Sequence, residues 1–214
     1  MARTNQKNQN PGADRHTVPF GTACFKRTLD VVLGGAALLV AAPLILSCLI
    51  IVKLIDPGPA MYCQWRVGRN GRMFRIYKLR TMWLDAEHDS GAVFASAVDD
   101  RVLPACRWMR RSHVDELPQL WNILRGEMSL VGPRPERPEI IDALIEKLPR
   151  FEQRLAVPPG LTGLAQICNG YTNDVAGARK KLSYDLLYIR QISWINELKL
   201  LAGTVPKLWD RAAC

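Results

Sequence analysis

Between Asp30 and Lys53 the chain carries no charged side chain, a run of about two dozen apolar and small residues. At ~1.5 Å per residue, a helix of that length crosses a ~30 Å hydrocarbon layer. The segment therefore predicts a membrane helix and ties the rest of the chain to a membrane surface. Lys26 and Arg27 precede it; Lys53, Arg66 and Arg69 follow. Positive charge stays on the cytoplasmic side, so two basic flanks fit a segment that enters and leaves through one leaflet, breaking at Pro43. Its arms, Leu29 to Ala42 and Leu44 to Val52, would each be about 14 to 20 Å long, one leaflet deep. A single span kinked at Pro43 fits the apolar run equally well, and Gly34 and Gly35 weaken the first half of either helix. Lys26, Arg27 and Asp30 at the entrance suit lipid phosphates or internal ion pairs. The long polar stretch ahead of the segment, with no small-x-small cleavage pattern, argues against a removable signal peptide.

Residues 1–23 are polar, rich in Asn and Gln, and predict a disordered tail. Residues 24–55 form the membrane segment, and residues 56–214 suffice for one compact catalytic unit. A net charge of +9 attracts polyanions, whether nucleic acid, anionic lipid or nucleotide. The six cysteines are scattered, which excludes a zinc knuckle or a redox Cys-x-x-Cys and reads as free thiols in a reducing compartment. His16, His88 and His113 stand singly, without the spacing of a histidine metal site.

The turn Asp56-Pro57-Gly58-Pro59 leaves the membrane. Ala60 to Val67 and Arg72 to Leu79 then flank Gly68-Arg69-Asn70-Gly71 and predict a β-hairpin. Strand alternation puts Lys78 and Arg80 on one side, a pair suited to clamp a diphosphate. One early helix is expected between Trp83 and Val98, and short helices from Leu103 to Trp108 and from Leu117 to Leu124. Between the last two lies Arg110-Arg111-Ser112-His113-Val114-Asp115-Glu116. Ser112 is placed to cap a helix whose first turn holds the two acids. The same pair also suits phosphate chemistry. A carboxylate attacking phosphorus approaches negative charge, so cations such as Arg110, Arg111 and Arg134 must cancel the repulsion. One acid can be the nucleophile while its neighbour holds a divalent metal. Gly126 predicts a helix stop, and Met128 to Val131 an extended piece. The prolines on both sides of Arg134 fix its backbone. Pro158 to Gly163 reads as a rigid turn. Trp194, Leu198, Leu201, Val205 and Trp209 recur at helical spacing, a stripe for the core or for a membrane interface.

Taken together, Lys26-Arg27 with Asp30, Lys78 to Met82, Asp115-Glu116-Leu117-Pro118-Gln119-Leu120-Trp121-Asn122, Ser129 to Pro135 and Pro159 to Gly163 resemble the bacterial sugar transferases, the monotopic polyprenyl-phosphate phosphoglycosyl transferases. The resemblance runs from about residue 25 to the C-terminus. It implies an α/β fold, mostly helical with a small β-hairpin: a re-entrant membrane helix-break-helix, then a compact cytoplasmic catalytic domain with amphipathic interfacial helices. It further implies ping-pong transfer of a sugar-1-phosphate from a UDP-sugar to undecaprenyl phosphate, with release of UMP, at the cytoplasmic face of the bacterial inner membrane. Asp115 would be the nucleophile, carrying a phosphosugar-aspartyl intermediate. Glu116, with Asp115, would hold Mg2+, while Lys78, Arg80, Arg110 and Arg134 would bind diphosphate or lipid phosphate. Downstream glycosyltransferases are natural partners, and lipid head groups are contacts. Two departures stand out: Ala42-Pro43 where the family carries Ser-Pro, and His113-Val114 where it carries Ser-Leu, which shifts the expected cap. The large extra membrane domain of some relatives is not expected, leaving the minimal catalytic form. The sequence does not choose the sugar, the pathway or the oligomeric state.

Two rival readings come from other classes. A non-catalytic scaffold for polyprenyl lipid in an assembly complex needs no intact acid pair, and this chain has one. A tethered nucleic-acid binder has only the basic balance in its favour; the cations lie beside acids and lack interleaved aromatic platforms.

Overall fold

A computed structural model of the chain describes residues 19–84, 86, 100–169 and 175–206. The expectations for residues 1–18, for a helix after Trp83 and for Trp209 lie outside the described residues. The described part is mostly helical, with two small two-stranded sheets.

Helix α1 (Phe20–Ile55) begins four residues before the expected membrane boundary and runs without interruption through Pro43. Its apolar residues surround the axis, so the sequence shows no inner face, yet the structure has one. Lys26, Asp30, Gly34, Cys48 and Val52 are buried, and Leu38, Ala41, Ile45 and Leu49 pack between them on the core. These positions recur every three or four residues, one stripe of a helix. The opposite side is open, with Leu39, Val40 and Leu54 about four-fifths exposed.

The entrance charges turn inward. Lys26 donates to Val131 O (2.7 Å) and Glu197 (2.6 Å), and Asp30 accepts from Ser129 Oγ (2.9 Å) and Leu130 N (2.8 Å). Arg27 donates to the carbonyls of Ile123 and Leu124 (2.7 Å each) at the end of a short helix, a favoured place for a cation. The internal pairing foreseen for these charges is present for Lys26 and Asp30, while Arg27 bonds backbone carbonyls.

Strands β1 (Met61–Val67) and β2 (Met73–Leu79) form the expected hairpin. Its turn needs positive φ at Asn70 (56°) and Gly71 (76°), which this pair supplies at least cost. After a 3-10 turn at Pro104–Cys106, helix α2 (Arg107–Arg111) and helix α3 (Gln119–Leu124) follow. The side chain of Asn122 in α3 accepts from Tyr77 N (3.2 Å) and donates to Arg75 O (2.7 Å). It closes the free edge of β2, a position that otherwise leaves backbone groups unpaired.

Gly126, at φ 78°, ends the α3 segment as expected. Strand β3 (Ser129–Val131) then pairs in parallel with β4 (Gly160–Thr162). Within the Pro158 to Gly163 segment, expected as a turn, Gly160–Thr162 is thus a strand: a partner about thirty residues away supplies the hydrogen bonds that local sequence cannot reveal. The two backbones nearly touch. A Cβ on Gly160 would fall 2.0 Å from Gly132 N, and one on Gly163 2.2 Å from Gly132 O. Helix α4 (Pro138–Lys147), a 3-10 stretch at Pro149–Ala156, α5 (Leu164–Asn169), α6 (Val175–Arg190) and α7 (Trp194–Thr204) complete the described fold. On α7 the expected apolar stripe is divided: Trp194 and Leu198 are about half exposed, Leu201 packs on the core, and Val205, just past the helix, is again about half exposed. Glu197 is buried between them because it pairs with Lys26.

Candidate active site

Asp115 and Glu116 sit in a single 3-10 turn, Val114–Glu116, between α2 and α3. Ser112 does not cap it. Its hydroxyl donates back to Trp108 O (2.7 Å), ending α2, and His113 takes a left-handed conformation (φ 55°) that restarts the chain. Such a backbone is costly for a non-glycine residue, and it turns both carboxylates into the interior, each 8% exposed.

Two separate elements converge on Glu116. Lys78 from β2 donates to Oε1 at 2.7 Å, and Arg134, from the loop after β3, donates to Oε1 at 2.6 Å and Oε2 at 3.4 Å. Burial alone would raise the carboxyl's pKa. The charges and hydrogen bonds of Arg134 and Lys78 outweigh it and hold Glu116 well below the usual carboxylate range. Among the described residues no donor reaches the Asp115 carboxylate at hydrogen-bonding distance. Burial, then the charge of Glu116, pushes its pKa up to about 6, against the pull of Lys78, Arg110 and Arg134. One acid is thus held as an anion, while the other has no hydrogen-bond partner among the described residues. With Arg110 counted, three cations face two carboxylates, leaving positive charge for an incoming anion.

The loop carrying Arg134 is fastened through its carbonyls, because its prolines remove N–H groups. Pro133 O accepts from Gly160 N (2.8 Å), Arg134 O from Arg154 (2.8 Å), Pro135 O from Arg66 (3.2 Å) and Glu136 O from Val67 N (3.0 Å). Arg154 is itself locked to Asp185 (2.9 Å), both almost wholly buried.

Of the residues expected from sequence, Lys78, Asp115, Glu116 and Arg134 come together, and Arg110 acts on Asp115 by its charge. Arg111 is exposed. Arg80 does not aim with Lys78; it lies past the end of β2 and grips Asp56 through the carboxylate (2.8 Å) and the carbonyl (2.6 Å), closing the turn after α1. His113, passed over as a lone histidine, is drawn into the cluster, where burial lowers its pKa against the pull of Glu116; its place two residues before Asp115 is the only sequence signal. The fastening pair Arg154–Asp185 has none.

Asp115 and Glu116 are the residues that would hold a Mg2+ ion, which takes one or two carboxylates beside a diphosphate. A cage made by protein alone is not available: no group of three or more His, Cys, Asp or Glu stands ready for a metal among the described residues.

Three relatives are similar to the chain over most of its length. The chain is 44% identical over 187 residues to a UDP-glucose:undecaprenyl-phosphate glucose-1-phosphate transferase of Caulobacter vibrioides, covering 86% of this chain and 69% of that protein. It is 40% identical over 177 residues to a UDP-N-acetylgalactosamine-undecaprenyl-phosphate N-acetylgalactosaminephosphotransferase of Aeromonas hydrophila, covering 82% of this chain but 42% of the relative. It is 39% identical to the exopolysaccharide production protein PSS of Rhizobium leguminosarum, covering 85% of this chain and 93% of that protein. The model of the family described as bacterial sugar transferase matches residues 21–211, taking in α1, the carboxylate turn and the Arg134 loop. The chain belongs to the bacterial sugar transferase family.

Proposed function

We propose that the chain moves a sugar-1-phosphate from a UDP-sugar to undecaprenyl phosphate, releasing UMP, as a membrane step of exopolysaccharide or glycoconjugate assembly. The names of its relatives supply the substrate class. The observation that carries the chemistry is the asymmetry of the acid pair: Glu116 clamped as an anion, Asp115 unclamped with its pKa pushed up to about 6. A carboxylate with a raised pKa is a better nucleophile than an ordinary one, and at neutral pH it is still largely ionised.

In the first half-reaction an Asp115 oxygen attacks the sugar-bearing phosphorus in line. The bond from that phosphorus to the bridging oxygen breaks, and UMP departs with the electron pair. Lys78, Arg110 and Arg134 offset the charge on the phosphoryl oxygens. In the second half-reaction a phosphate oxygen of the lipid attacks the same phosphorus, and Asp115 leaves as the carboxylate. Mg2+, held by Glu116 and Asp115 with the diphosphate, would supply charge neutralisation on those oxygens.

The position of α1 fits a shallow membrane posture, while its unbroken course through Pro43 lacks the break that a re-entrant segment would use. A membrane span takes about 20 consecutive apolar residues, and along that length α1 touches the catalytic part every three or four residues from Lys26 to Val52. Only its outer side is left for hydrocarbon. The outward Trp194, Leu198 and Val205 of α7 suit the interface beside its entrance, where Lys26 meets Glu197.

The test is a rapid acid quench during turnover with labelled UDP-sugar. Label on Asp115, lost in Asp115→Asn together with UMP release, is the expected result. Label on another side chain, or undiminished UMP release by the variant, would overturn the reading.

A further inference from the structure

An open groove of about 490 Å3 lies where the end of α1 meets the start of the hairpin, within the roughly 300–1,000 Å3 range of ligand pockets. Its walls are Leu49, Ile50 and Leu54 of α1 with Pro59 and Met61 beyond the turn, and Lys53 stands at its edge. Such a lining offers no hydrogen-bonding pattern for a sugar or a base. It suits hydrocarbon.

We propose that this groove holds the polyisoprenoid chain of the acceptor lipid, guiding its phosphate toward Asp115; the inference rests on the functional reading above. Three observations support this occupant. The groove is continuous with the outward apolar side of α1, where Leu46, Ile50 and Leu54 are more than half exposed, so a chain enters sideways from lipid without crossing water. Its inner wall is shared with the site: Leu49 and Met61 pack on the same cluster as Val114, the residue before Asp115. Met61 also pairs with Leu79 across the hairpin, about 5 Å away, and Lys78, next to Leu79, bonds Glu116. Lys53 fixes the depth, because a lysine at the edge of hydrocarbon extends its ammonium to the head-group plane.

An apolar groove adds little affinity inside a bilayer, since lipid tails solvate an alkyl chain equally well. What it adds is orientation, and misplaced reactants lose rate steeply. The acceptor step alone should therefore respond to filling the groove.

The experiment uses the full chain in nanodiscs with Ile50→Trp and, separately, Leu54→Trp, two exposed positions whose enlargement leaves the core untouched. Expected is a fall of about tenfold in kcat/KM for undecaprenyl phosphate, with kcat/KM for the UDP-sugar and the acceptor-free UMP burst unchanged. In parallel, a photo-reactive residue at position 54 should crosslink undecaprenyl phosphate well beyond its mole fraction. Unchanged kcat/KM for the acceptor in both variants, or crosslinking to phospholipid in simple proportion to its abundance, overturns the groove assignment. Absence of any UMP burst in the parent chain would instead sink the functional reading, so the two failures are distinct.

Discussion

Replacing Asp115 by Asn should abolish turnover and, at alkaline pH, make the folded chain more stable. The Asp115 carboxyl is moved from its usual 3.8 to about 6 by burial and by the charge of Glu116. That is a shift of about two units at about 1.4 kcal/mol each, so ionising Asp115 costs the fold on the order of 3 kcal/mol. The sign follows from the direction of the shift. A group whose pKa is higher folded than unfolded contributes stability that is fully present below about 3.8 and lost as pH rises through about 6. Asn behaves as a permanently neutral acid of the same size, and it can donate toward Glu116 where the aspartate only repels.

The expected gain at about pH 8 is roughly 1–3 kcal/mol, which for a chain of this length raises Tm by about 3–10 °C. Near pH 4 the gain should fall to about half a kcal/mol, because Asp115 is then already protonated in the folded state. Thermal unfolding in detergent micelles, without Mg2+ or nucleotide so that no ligand shifts the balance, measures both points. An Asp115→Asn protein no more stable than the parent at about pH 8 would refute the argument. So would an equal gain at both pH values, since packing and not charge would then be responsible.

The remaining predictions act on neighbouring parts of the same assembly. Arg110→Met removes a cation that lowers the Asp115 pKa, so the acid limb of UMP release should move to higher pH; an unmoved limb would take Arg110 out of the site. Lys26→Met leaves Glu197, 1% exposed, as a buried charge without its ion-pair partner and should destabilise by about 3–5 kcal/mol. Adding Glu197→Leu should restore much of that loss, as read by chemical or thermal unfolding. Gly160→Ala drives a methyl into the backbone of Gly132 and should cost more than about 3 kcal/mol or prevent folding, scored by the yield of monodisperse protein.

The hairpin was legible because its signals are local: alternation on both sides of an Asn-Gly turn. The acid pair was legible because the chemistry it suits demands cations nearby, and Lys78 and Arg134 do converge on Glu116. Where the reading failed, distant partners decide. Local capping rules assign Ser112 to the following helix, but α2 claims its hydroxyl and His113 absorbs the turn. Pro159-Gly160 has the composition of a turn and becomes a strand because β3 lies alongside. Alternation sets Lys78 and Arg80 on one side only while the strand lasts, and it ends at Leu79. The buried Arg154–Asp185 pair joins residues 31 apart in sequence, in segments with no periodicity that would mark either as interior.

The inner side of α1 changes what an anchor means in such a chain. Asp30 bonds to Ser129 and Leu130 of β3, the strand that leads into the Arg134 loop. Gly34 lies against Ile123 of α3, the helix that follows the carboxylate turn. Cys48 and Val52 pack with Leu79, adjacent to Lys78. The strands that carry Lys78 and lead to Arg134, and the helix that follows the acid pair, therefore rest on the helix that also carries the outward apolar surface. For the proposed transfer this couples two requirements. The nucleophile must lie at the depth of the lipid phosphate, and the cations must stand within hydrogen-bond reach of the acid pair. A tether of flexible chain would meet the first only on average, whereas a helix that doubles as scaffold fixes both at once. Removing α1 should accordingly dismantle the acid–cation cluster, not merely release a soluble enzyme.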